Sequence, residues 1–144
     1  MSTPGQFERI VALVSNISVA VGVLFAGAQL WQNRAFEKRA NAVGLTASLR
    51  EREFTTAYKS LRERRLRHDR DSNPIVDELN HVAAVYDNIA IMYFNGVADK
   101  GIIEENVAAA LPEIVESLVY FGYPESSLQN IQKMAEAIKR KNRS

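Results

Sequence analysis

Ile10–Asn33 reads IVALVSNISVAVGVLFAGAQLWQN, 24 residues without a charged side chain, set between Glu8-Arg9 and Arg34. As a helix it would be roughly 36 Å long, enough to cross a hydrocarbon core of about 30 Å with some tilt. Phe7 and Trp31 stand near its two ends, where amphipathic rings favour the headgroup boundary. The polar residues within it are Ser15, Asn16, Ser18, Gln29, Gln32 and Asn33, too few to give a soluble helix its wet face. The stretch therefore predicts a transmembrane helix, and the rest of the chain is read outward from it.

Ala26-Gly27-Ala28 has the small residues of a signal-peptide cleavage site, but the apolar run is long for a secretory signal. Arg34, Lys38 and Arg39 follow it directly, a stop-transfer pattern, so an uncleaved anchor is expected. The segment before the span offers only Arg9, offset by Glu8. The basic flank should stay inside, giving a short translocated tail (1–9), a span (10–33) and a cytoplasmic domain (34–144). The expected location is a bacterial inner membrane, crossed once.

Ser18, Gly22 and Ala26 form a small-xxx-small series that would let another helix approach closely. Asn16 and Gln29 add amides that favour a partner in lipid. From Gly22 the spacing continues 4,3,4,3 through Ala26, Gln29, Asn33 and Phe36 and on to Ala47, a heptad-like stripe of small and polar residues. Asn16, Ser18, Gly22, Ala26 and Gln29 are thus the candidate helix–helix interface, with a homo-oligomer or a larger membrane protein as partner.

The net charge of +1 conceals a segregation. Arg34–Arg70 carries 11 Lys or Arg against five Asp or Glu, Asp71–Glu125 ten acids against Lys100 alone, and Ser126–Ser144 five bases against Glu136. The basic arms could pack around the acidic middle, or lie on anionic lipid. Arg34, Lys38, Arg39, Arg62, Arg64 and Arg65 are the candidate contacts to anionic lipid or to a protein partner. There is no Cys, which excludes disulfides, thiolate chemistry and Cys-ligated metals.

Downstream, every segment has helical periodicity. Ala35–Arg50 continues the first helix, with a bend expected near Gly44, and Ser48-Leu-Arg-Glu51 matches a capping box. Phe54, Ala57, Tyr58, Leu61 and Leu66 give the next stripe, and Arg67–Pro74 reads as a loop. Ile75–Phe94 is the central helix, apolar on most sides and closed by Asn95-Gly96. Asp99 opens a further helix, Pro112 begins another or kinks it, and Ser126–Asn142 is the last, with Leu128, Ile131, Ala135 and Ile138 on one face. The class is all-α: a transmembrane helix continuing into a small helical bundle.

The QLWQNR exit (29–34), the REFTTAYKSLR segment (52–62) and LNHVAAVYDNIAIMYFNGVADKGIIEENV (79–107) together resemble a bacterial family of small membrane-anchored proteins known only as a domain of unknown function. The resemblance covers roughly 29–121 and includes the Tyr86-Asp87 pair and the turn Asn95–Asp99, where Asn95 replaces the usual basic residue. It implies architecture and location, and no activity.

No arrangement for catalysis emerges. Glu78 and His81 share a helix face at i,i+3, as in di-iron bundles, but such sites need two pairs and two further Glu, so a surface ion pair is the plainer reading. His68 sits in a charged loop, Glu104-Glu105 are neighbours rather than facing acids, and no glycine-rich phosphate loop exists. Asp87 is expected to pair with an Arg of the basic helix. No enzyme activity, cofactor or metal is expected. The functional expectation is an accessory, assembly or regulatory subunit that binds another protein at the membrane. The alternative is a tethered domain binding anionic lipid or nucleic acid through its Arg-rich helix, with nucleic acid disfavoured because no recognisable module surrounds the arginines.

Overall fold

The computed structural model describes the backbone of residues 4–69 and 75–143; within the first helix the side chains of 4, 6–8, 10, 12 and 14–16, and that of residue 75, lie outside the described set. Among the described residues six α-helices follow one another: α1 Pro4–Ala47, α2 Arg52–Leu66, α3 Ile75–Asn95, α4 Lys100–Val107, α5 Leu111–Tyr120 and α6 Glu125–Lys141, with a short 3-10 turn Ser48–Arg50 after α1. Among the described residues there is no strand. The chain is all-helical, as the periodicity predicts. It divides into two compact units, Met1–Phe36 and Glu37–Ser144.

In the first unit α1 is helical from Pro4 onward. Among the described residues no helix contains a run long and apolar enough to cross a membrane. The expected span is thus met as a helix over 10–33, whereas its membrane-crossing character is not. Five of the seven side chains from Ile10 to Asn16, including Asn16 itself, lie outside the described residues.

The second unit is built around α3. Its apolar residues Leu79, Val82, Ala83, Tyr86, Ile89, Ala90 and Tyr93 are all buried, because the 3.6-residue repeat keeps them on adjoining faces. α3 packs against α2 on one side and α6 on another, and α5 touches both α2 and α6. The four helices therefore close into a ring α2–α3–α6–α5, with Phe54, Leu61, Ile89, Ile114, Leu118, Leu128, Ile131 and Met134 inside it. Burying each such side chain is worth about 1.5–3 kcal/mol. Ala42 and Thr46, at the end of α1, are buried as well.

The helix ends follow local chemistry, with some departures from expectation. Thr46 and Ser48 donate their hydroxyls back to the carbonyls of Ala42 and Leu45, at 2.9 and 2.6 Å. The capping box at Ser48–Glu51 therefore does not form. Glu51 is extended instead and accepts Thr55 Oγ1 at its carbonyl, so α2 starts at Arg52. α1 runs unbroken through Gly44 to Ala47. Asp99 caps α4 by accepting from Ile102 N at 3.2 Å, and Pro112 sits in the first turn of α5, where its missing N–H costs nothing. α2 closes at His68, which takes a left-handed φ of 57°, and Gly96 and Gly122 close α3 and α5 with φ of 66° and 75°. Leu66, expected on the apolar stripe, lies outside it and is exposed, because α2 ends there.

Candidate functional site

The Arg-rich face of α2 meets α5. Tyr58 donates its hydroxyl to Glu113 Oε2 at 2.8 Å, and Arg62 Nε lies 3.0 Å from Glu113 Oε1. Arg65 bridges the Glu113 carbonyl (3.1 Å), Ser117 Oγ (3.1 Å) and Glu116 Oε2 (2.9 Å). Ser117 is buried and returns its proton to the Glu113 carbonyl at 2.8 Å. Burial first, then the hydrogen bond to Glu113, pushes the Tyr58 phenol up to about 12. Two of the six basic candidates, Arg62 and Arg65, are thus held by acids of their own chain. Arg64 is half-buried, and Arg34, Lys38 and Arg39 are exposed.

The carboxyl-terminal arm repeats the pattern. Glu104 accepts from Tyr93 Oη at 2.9 Å and pairs with Lys141. Burial followed by this hydrogen bond pushes the Tyr93 phenol to about 12. Burial also drives Tyr86 well above the ordinary phenol range. The basic arms and the acidic middle therefore join through Glu104, Glu113 and Glu116, which run length and composition alone could not single out.

Two expectations on α3 need correction. Asp87 does not pair with an Arg; its Oδ1 accepts from Asn130 Nδ2 of α6 at 3.0 Å, because α3 turns that face to α6 rather than α2. Glu78 and His81 form no surface ion pair. Glu78 accepts from Ser60 Oγ at 2.9 Å, while His81 turns toward Phe54, its ring centroid 6.5 Å away and its Nε2 buried without a partner. Among the described residues no three acids or histidines gather as a metal site.

Among the described residues three surfaces stand out as open. On α1, Ser18, Gly22, Ala26 and Gln29 are exposed, and a Cβ at Gly22 would meet nothing within 4 Å. The large apolar residues around them are exposed too, with Leu24 and Trp31 both at 74% and Phe25 at 65%. Asn16 lies outside the described residues. Secondly, α5 and α6 enclose a groove of about 760 Å³, floored by Leu111, Val115, Ala135 and Ile138 and edged by Gln132, Lys139 and Arg143. Its signal in the sequence is a second stripe on α5, Pro112, Val115 and Val119, offset from the buried Leu111, Ile114 and Leu118. Thirdly, the turn between α3 and α4 is fastened to α1: Asp99 N donates to the Lys38 carbonyl and Asn41 Nδ2 to the Val97 carbonyl, both at 2.9 Å. Ile91, Phe94 and Val97 around that turn are exposed at 40–45%.

Compared with family models, curated proteins and solved structures, the chain gives no match.

Proposed function

We propose that this chain is a single-span, membrane-anchored subunit whose helical bundle binds another protein in an accessory, assembly or regulatory role. The observation that carries the reading is the contrast within α1: a 24-residue uncharged stretch in a helix whose large apolar side chains are exposed on every side. A helix apolar all round is stable only when lipid or protein covers it. Arg34, Lys38 and Arg39 after the stretch favour an inward-facing bundle and an outward amino terminus. The resemblance to small membrane-anchored bacterial proteins points the same way.

A role in recognition rather than chemistry is supported by the employment of the polar groups. Glu104, Glu113, Arg62 and Arg65 are engaged in joining helices, while the open surfaces, the α5–α6 groove and the α1 stripe, are largely apolar. The same ion pairs weigh against the Arg-rich helix as a lipid or nucleic-acid site, because two of its arginines are already neutralised.

The test has two parts. Membranes from cells expressing the full chain should retain it through alkaline carbonate washing, and release into the supernatant would overturn the anchor. Extraction in mild detergent should then recover a homo-oligomer or a stoichiometric partner. A strictly monomeric species would overturn the interaction role.

A further inference from the structure

We infer that the groove between α5 and α6 is the docking site for an amphipathic helix of a partner protein that carries acidic residues along one flank. The inference deepens the protein-binding role proposed above and rests on it. Its first support is shape. Gly122, with φ of 75°, turns α5 back into α6, so the two helices lie side by side as a hairpin. The groove they leave is about 760 Å³. Its walls recur at helical spacing: Ala108, Leu111 and Val115 on one side, Ala135, Ile138 and Asn142 on the other, each row stepping by three and then four residues. Two such rows make the holes that a third helix, with side chains repeating at three and four, can fill. Ala108 and Ala135 are small, which lets that helix come close. Leu111 and Ile138 are buried at the bottom, while Pro112, Lys139, Asn142 and Arg143 are exposed. The groove is therefore open above, and its occupant keeps one face in water. That suits a helix with a polar back, whereas an acyl chain lying there would leave methylenes wet.

The second support is charge. Lys139 and Arg143 stand four residues apart on the α6 wall, so both edge the groove on that side. Among the described residues neither is in an ion pair, in contrast to Arg62, Arg65 and Lys141, which meet acids of their own chain. Glu136, also in the lining, is drawn to Arg140 at 3.4 Å. The α5 wall presents Leu111, Pro112 and Val115, all uncharged. An incoming helix thus meets cations along a single edge, and acids at i and i+4 on its matching flank would pair with them. Ion pairs at such a rim choose the partner and its orientation, while the apolar floor supplies the affinity.

The probe is a fluorescent helical peptide of about fifteen residues with Leu at i, i+3 and i+7 and Glu along one flank, beside a twin with Lys in place of Glu. Each is titrated against the full chain in an uncharged detergent, with detergent alone subtracted, and read by anisotropy. The Glu peptide should bind with a Kd below about 100 μM and at least about tenfold more tightly than the Lys peptide, a gap that narrows with salt. Lys139→Glu combined with Arg143→Glu, both exposed positions, should reverse that preference. Val115→Asp should weaken the Glu peptide at least about tenfold with helicity unchanged. If Val115→Asp unfolds the bundle, the charge reversal decides by itself. No binding of the Glu peptide, or equal affinity for the two peptides, would overturn the inference. So would exclusion of the peptide by a second copy, seen as an oligomer that Val115→Asp breaks. Extraction from cells separates the groove from the reading beneath it. A partner recovered equally with wild-type and Val115→Asp chains overturns the groove alone, and recovery with neither overturns both.

Discussion

α1 between Ile17 and Phe36 and α3 between Leu79 and Tyr93 are built from the same kinds of side chain, yet meet opposite fates. On α3, Val82, Ile89 and Ala90 have no accessible surface; on α1, Leu24 and Trp31 keep three quarters of theirs. Hydropathy is therefore a demand for cover and does not say what supplies it. α3 is covered by α2 and α6 of its own chain. The large apolar side chains of this stretch of α1 stay exposed, and under the proposed reading lipid is what would cover them.

The largest effects should come from placing a charge in each helix. Ile89→Asp would bury an unpaired carboxylate among α2, α3 and α6 and should abolish cooperative thermal unfolding, a loss above about 4 kcal/mol. Leu24→Arg should leave the melting of the bundle unchanged while costing insertion about 2.5–3.5 kcal/mol, read as a fall in the carbonate-resistant fraction. If Leu24→Arg instead melted the bundle, the contrast between the two helices would be wrong.

A smaller effect tests the polar seams that the contrast leaves to the bundle. Tyr58 and Tyr93 hold their protons to about 12 when folded, against 10 for a free phenol. A raised phenol stabilises the fold fully below pH 10, and that contribution disappears as pH climbs from 10 to 12. Denaturant midpoints should fall across this window. Glu113→Gln should lower the Tyr58 titration only partway, seen by ultraviolet absorbance, since burial rather than Glu113 is the larger cause. The smallest effect is at the end of α2. His68→Gly relieves a left-handed φ of 57° and should raise bundle stability by up to about 1 kcal/mol in denaturant melts.

Most of the bundle was legible in the periodicity. The buried residues of α3, Phe54, Ala57 and Leu61 of α2, and Leu128, Ile131 and Ile138 of α6 fall where a 3.6-residue repeat puts them. Met134 is fully buried, yet spacing does not distinguish it, because α6 has apolar residues at both i+3 and i+4 from Ile131 and the two rank equally. The capping box misled for a related reason. Ser48 and Glu51 have the right separation, but Ser48 can also donate backward to a carbonyl of α1, and the end of α1 is packed so that it does.

What the sequence by itself determined is the all-helical class, its breaks at Gly96, Pro112 and Gly122, and the separation of an uncharged stretch (10–33) from the amphipathic helices. These depend on neighbours within a few residues, so they can be read locally. The tertiary structure decided which acid meets which base: Glu113 with Tyr58 and Arg62, Glu104 with Tyr93 and Lys141, Asn130 with Asp87 in place of an arginine. It also decided that the turn after α3 is fastened to Lys38 and Asn41. Those partners stand about forty to sixty positions apart in several cases, and only packing of the whole ring, not any local pattern, selects among the many equivalent charges that could have met.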